Sequence, residues 1–98
     1  MAAATNLAPT TTTPASGSDI TVAAGARVTV GLYVAAGSVP SQAKATVAVK
    51  TGGANLPVAS LGFGGNNSMI LEGPGTYVAT LDTVDSSGVA VGIFTDAG

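Results

Sequence analysis

The sequence has no His, no Cys and no Trp, and eight charged residues in 98: Asp19, Arg27, Lys44, Lys50, Glu72, Asp82, Asp85 and Asp96. Each shortage removes a chemistry. Without His, the usual side chain that exchanges protons near neutral pH is missing, and a Ser or Thr nucleophile lacks its commonest base. Without Cys there is no thiolate nucleophile, no disulfide framework and no thiolate zinc site, and the redox compartment is left open. The three basic residues are scattered in a chain of net charge −2. They are too sparse to neutralise a run of phosphates, so nucleic acid is not an expected partner. Long apolar runs are missing as well. The uncharged stretch 51–71 contains five Gly and a Pro, so no membrane helix is expected. Met1 is followed by Ala-Ala-Ala-Thr-Asn, with neither a basic leader nor an apolar core, so no secretory leader is expected.

What is present is small and apolar. Hydrophobic residues make up 46% of the chain, but Ala and Val dominate, and the aromatics are Tyr33, Phe63, Tyr77 and Phe94. A fully buried large aliphatic or aromatic side chain contributes about 1.5–3 kcal/mol and an Ala much less. Fourteen Gly add chain entropy that folding must overcome. The isolated chain is therefore expected to be marginal and to gain stability on a partner surface.

At this length one domain is expected. Residues 1–18 (MAAATNLAPTTTTPASGS) carry no charge. Pro9 and Pro14 disfavour a helix, and the Thr run favours extended backbone. They read as an extended N-terminal arm, with a disordered tail as the alternative, ahead of a β-domain at 19–98. From Asp19 onward, Gly and Pro separate short runs of Val, Thr and Ile, the pattern of an all-β domain.

Strands are expected at 19–23, 26–34, 43–50, 56–61, 68–72, 76–81 and 89–95. In the second, Ala26, Val28, Val30, Leu32 and Val34 share one face, while Arg27, Thr29 and Tyr33 share the other. The stretch 43–50 competes with a short helix from Ser41, but its alternation favours a strand. Pro57 marks 56–61 as an edge strand or loop. Gly73-Pro74-Gly75 has the chemistry of a type II turn, with Gly75 at the positive-φ position. Asp85-Ser86-Ser87-Gly88 suits a type I turn. Six to seven strands at this spacing predict a compact β-sandwich or barrel.

The candidate constellations are weak. Asp82, Asp85 and Asp96 supply oxygen ligands, but DTVDSSG lacks the spacing of a calcium loop. An aspartic-protease pair needs a Gly-bearing triplet, which Asp82-Thr83-Val84 and Asp85-Ser86-Ser87 lack. Lys44 and Lys50, conceivable partners for a Ser nucleophile, lie on the polar side of an alternating strand. The glycines at 62, 64 and 65 have no following Lys for a phosphate loop, and Asn66-Asn67-Ser68 matches a glycosylation acceptor that is common by chance. No enzyme activity, metal, cofactor or small-molecule substrate is expected. Tyr33, on the Arg27 face, is a candidate contact residue, whereas Tyr77 is expected to pack inward with Leu81.

The segments ILEGPGTYVATLD and VAVGIFTD, with Gly-Pro-Gly-Thr-Tyr at 73–77 and Val-Gly-Ile-Phe at 91–94, resemble small decoration, or cement, proteins of tailed bacteriophages. The uncharged Thr/Ala/Pro arm ahead of a small β-domain resembles that class too. The likeness covers about a third of the chain. It implies a virion structural protein on the outer capsid surface, with the major capsid protein as partner and a homo-oligomer, a trimer by preference, as its state. Leu7, Thr10, Thr11, Thr12 and Thr13 would carry the arm's contact with the shell by strand addition. Deletion of 1–17 would then leave a folded domain that no longer binds particles. The alternative is an adhesion or carbohydrate-binding module of a fibre or tail, with Tyr33, Tyr77, Phe63 and the loop 64–67 as its ligand face.

Overall fold

Val, Ile, Leu and Ala recur at every second position between Gly- and Pro-bearing turns, and in the computed structural model each such run forms a strand with one apolar face. The structure describes residues 3–34, 43–63, 67–84 and 89–97. Among them are nine strands: β1 (Ala3–Thr10), β2 (Ala15–Ser16), β3 (Ile20–Val22), β4 (Arg27–Val34), β5 (Lys44–Lys50), β6 (Asn55–Gly62), β7 (Ser68–Glu72), β8 (Gly75–Thr83) and β9 (Val91–Ala97). They form two antiparallel sheets packed as a β-sandwich. The first has the order β1-β9-β4-β7. The second has the order β2-β8-β5-β6, with β3 also paired to β8.

The inward faces are the alternating ones. Val30 and Leu32 of β4, Ala45 and Val47 of β5, Ala79 and Leu81 of β8, and Val91 and Ile93 of β9 are buried. Leu61, Leu71, Ile20 and Val22 complete the layer, with Val28, Val34, Phe63, Met69 and Tyr77 packed around it. No polar or charged side chain is buried among the described residues, so the core carries no desolvation penalty of that kind.

Seven of these strands fall where the alternation expects them. The count exceeds six to seven because β1 and β2 arise within residues 1–18. That segment is extended, as expected, but it is laid against the chain's own sheets. β1 pairs antiparallel with β9, from Ala3 opposite Asp96 to Thr10 opposite Val91, with register shifts between Thr5 and Leu7 and between Leu7 and Thr10. β2 then joins the other sheet, with Ala15 opposite Leu81 and Ser16 opposite Thr80. Asn6 Nδ2 donates to the Ser18 carbonyl at 3.0 Å, and the Gly17 amide donates to the Ala79 carbonyl at 3.0 Å. Leu7 packs on the core. Removing 1–17 would therefore strip β9 of its outer neighbour, and a domain left intact by that deletion is no longer the expectation.

The turn at 73–75 also differs from the type II expectation. The Gly73–Pro74 peptide is cis, Gly75 already belongs to β8, and positive φ among the described Gly occurs at Gly25 and Gly52. Gly25 turns β3 into β4, and Gly52 lies in the β5–β6 hairpin, where Thr51 donates through its amide and its hydroxyl to the Ala54 carbonyl. Gly73 is needed for closeness. A Cβ there would stand 1.9 Å from the Ala23 carbonyl oxygen and 2.6 Å from that of Val22. Pro57 lies within β6, an edge strand. Lys44–Lys50 forms β5 and not the competing helix, whereas Ser41, Gly64, Gly65, Asn66 and the turn at 85–88 lie outside the described residues.

Gly73 and Gly53 make a matched test. A Cβ on Gly73 meets backbone that side-chain rotation cannot move, whereas one on Gly53 meets open space. Gly73→Ala is expected to cost about 2–3 kcal/mol in urea unfolding. Gly53→Ala is expected to be neutral or stabilising by up to about 1 kcal/mol.

Candidate docking face

The two sheets differ in where they carry their aromatic side chains. On the second sheet, strand register aligns Ser16, Thr80, Thr46 and Ser60 in one row across β2, β8, β5 and β6. Ser16 Oγ and Thr80 Oγ1 share a hydrogen bond of 2.9 Å, and Thr46 Oγ1 donates to Asp82 Oδ2. Lys50 Nζ donates to both Asp19 oxygens at 3.0 Å. Hydroxyls and one ion pair here partner one another, while Leu56 and Val58 are half-exposed on the edge strand β6.

The first sheet carries its aromatic side chains outward. In β4 and β9 alternation sends Val30, Leu32, Val91 and Ile93 inward, and so points Gly31, Tyr33, Gly92 and Phe94 out. Register then places Gly31 opposite Phe94, and Tyr33 opposite Gly92. Each ring lies over the bare backbone of the glycine across from it. A Cβ on Gly31 would meet Phe94 Cε1 at 2.5 Å, and one on Gly92 would meet Tyr33 Cε1 at 2.7 Å. The rings meet edge to face, with centroids 6.4 Å apart and planes at 70°. Such a pair contributes about 0.5–1.5 kcal/mol beyond its burial. Both rings are half-buried, and with Ala4 and Thr5 they line an open concavity of about 310 Å³.

The same face continues outward on both sides. Thr29 of β4 stands between Asp96 of β9 and Ile70 of β7. Ile70 is 58% exposed. Arg27 Nε pairs with Glu72 Oε2 at 3.2 Å, with both side chains two-thirds exposed, a geometry that contributes at most about 1 kcal/mol. Asp96 is half-buried, and its Oδ1 is enclosed without a hydrogen-bond partner.

The residues singled out by sequence fall partly here. Tyr33 faces outward, as its place beside Arg27 implies. Leu7 lies beneath the sheet, although its carbonyl approaches Gly92. Thr10 is half-buried, while Thr11, Thr12 and Thr13 are exposed on the crossing between the sheets. Gly73 and Pro74 join β7 to β8, and Gly75 opens β8. The ligand face imagined for a carbohydrate module is not assembled: Phe63 and Tyr77 pack on the core, and the Tyr77 hydroxyl donates to the Glu72 carbonyl at 2.8 Å. Asp82 and Asp96 project from opposite sheets, and Asp85 lies outside the described residues. Phe94, Gly31 and Gly92 escaped the sequence reading. Their signal was a glycine in the middle of each of two alternating strands, which marks close approach of another group.

Gly92 connects this face to β1, because a Cβ there would also stand 2.7 Å from the Leu7 carbonyl oxygen. Gly92→Ala is expected to cost about 2–3 kcal/mol and to speed amide hydrogen exchange across residues 4–10 more than across β5. Equal acceleration in both strands would show that the substitution acts on the whole sandwich instead. Compared with models of known protein families, with curated proteins and with solved structures, the chain matches none.

Proposed function

We propose that this chain is a non-enzymatic virion structural protein that decorates the outer surface of a bacteriophage capsid as a homo-oligomer, with the major capsid protein as partner. The observation that carries the reading is the open concavity on the outer face of the first sheet, lined by Ala4, Thr5, Tyr33 and Phe94, with Ile70 exposed farther along the same sheet. A small body that presents a preformed aromatic concavity on one face is suited to lie on a larger surface. The shortage of catalytic side chains, the phage-like segments at 73–77 and 91–94, and the exposed Thr11–Thr13 crossing support the same reading. Many copies on one shell make a weak single contact effective when neighbours also touch. In this arrangement the first sheet faces the shell, and the Thr crossing lies at the flank of the contact.

The test is recovery with intact particles of the phage that encodes the chain, followed by rebinding of purified variants to particles stripped of it. Copy numbers in fixed ratio to the capsid protein are expected. Tyr33→Glu should weaken rebinding at least tenfold, and Ser60→Lys on the opposite face should leave it unchanged. Absence from particles, or equal loss with both variants, would reject the proposal.

A further inference from the structure

Resting on the homo-oligomer of that reading, we infer that one lateral edge of the sandwich, formed by β6 and β7, is where copies of this chain meet. β6 and β7 each end their sheet, and they touch each other across the sandwich. The large apolar side chains that are more than half exposed among the described residues are Leu56, Val58 and Ile70, and all three belong to these two strands. The opposite edge, made by β1 and β2, exposes none of that size among the described residues.

Val58 is brought out by a bulge. Ala59 stands opposite Val47 and Pro57 opposite Ala48, so Val58 is the extra residue between them. A bulge in an edge strand re-aims a side chain and interrupts pairing. Pro57 removes an amide at the same place. This edge therefore offers a partner side chains and not a backbone ladder, and Leu56, Pro57 and Val58 are exposed in succession.

Charge and position argue for a second copy as the occupant. β6 contains no charged residue. Lys50, opposite its first residue, pairs with Asp19, Glu72 of β7 pairs with Arg27, and Lys44 stands at the far end, opposite Gly62. A partner recognised by charge finds no uncompensated group beside Leu56 and Val58, whereas an identical edge meets them without like-charge repulsion. The edge also adjoins the docking face, because Ile70 lies on the outer side of the first sheet opposite Thr29. Copies that lie on one surface by that face present these edges to one another about a common axis.

The experiment uses the full chain in solution, without particles. Sedimentation equilibrium of the wild type is expected to show reversible self-association with a dissociation constant of about 1–100 μM. On dilution, amide NMR shifts should move at Leu56, Val58 and Ile70 and stay fixed at Thr11, Thr12 and Thr13. Leu56→Asp and Val58→Asp should each weaken association at least about tenfold. Thr12→Asp at the opposite edge and Tyr33→Glu on the docking face should leave it unchanged. Amide spectra confirm that each variant keeps the fold, and the wild-type dilution shifts decide the location without any variant. A chain that stays monomeric up to about 1 mM, dilution shifts centred elsewhere, or equal loss with Thr12→Asp would each overturn the inference. Self-association of a chain absent from particles would reject only the capsid reading, and particle binding by a monomeric chain would reject only this one.

Discussion

The structure depends on backbone approach at glycine, because the chain has few large side chains with which to fill space. Among the described residues the buried hydrophobic side chains are Leu, Ile, Val and Ala, which make a thin layer between the sheets. Where other small sandwiches insert an aromatic residue, this one brings backbone against its neighbour. Gly73 lies against the Ala23 carbonyl, Gly17 against the Asn6 side chain, and Gly92 against the Leu7 carbonyl. Each contact joins a crossing or an edge strand to the body of the fold. Glycine's entropic cost is met at these positions by closeness that no other residue permits. The same economy shapes the surface: the aromatic residues spared from the core at Tyr33 and Phe94 pack over the glycines of the outer face.

Much of this fold was legible because alternation is a local signal. The pattern of Val28, Val30 and Leu32 against Arg27, Thr29 and Tyr33 identifies both the strand and its buried face without knowledge of its neighbours. The N-terminal segment carries no such signal. Leu7 is its one large side chain on the core, and its pairing with β9 breaks register twice. Nothing in residues 3–10 states that their backbone groups will be satisfied by a strand more than eighty residues away. The turn at 73–75 departs from its local composition for a related reason. Its composition suits a common local geometry, but the need for Gly73 comes from Val22 and Ala23, which are remote in sequence.

The candidate site shows the same division. Tyr33 could be placed on the outer face from its own strand. Its pairing with Phe94, and the exchange of rings and glycines between β4 and β9, depend on a register set across some sixty residues. Two glycines in the middle of good strands were the available clue. A glycine weakens a strand unless something takes the place of its side chain.

Edge structure helps decide how such a molecule would meet a partner. Strand addition needs a straight edge with free amides. β6 presents Pro57 and a register shift between the positions opposite Val47 and Ala48, and β1 presents Pro9 and two shifts. Both features blunt an edge against pairing. β1 has also used one of its edges on β9, so the strand once expected to join a neighbour's sheet already completes its own. β7 is unblunted, but it offers five residues. The outer face of the first sheet has neither obstacle: its rings are held by Gly31 and Gly92, so a partner would not have to order them. Preorganised aromatic area lowers the entropic cost of association. Face-on docking through Tyr33 and Phe94 is therefore favoured over extension of either sheet.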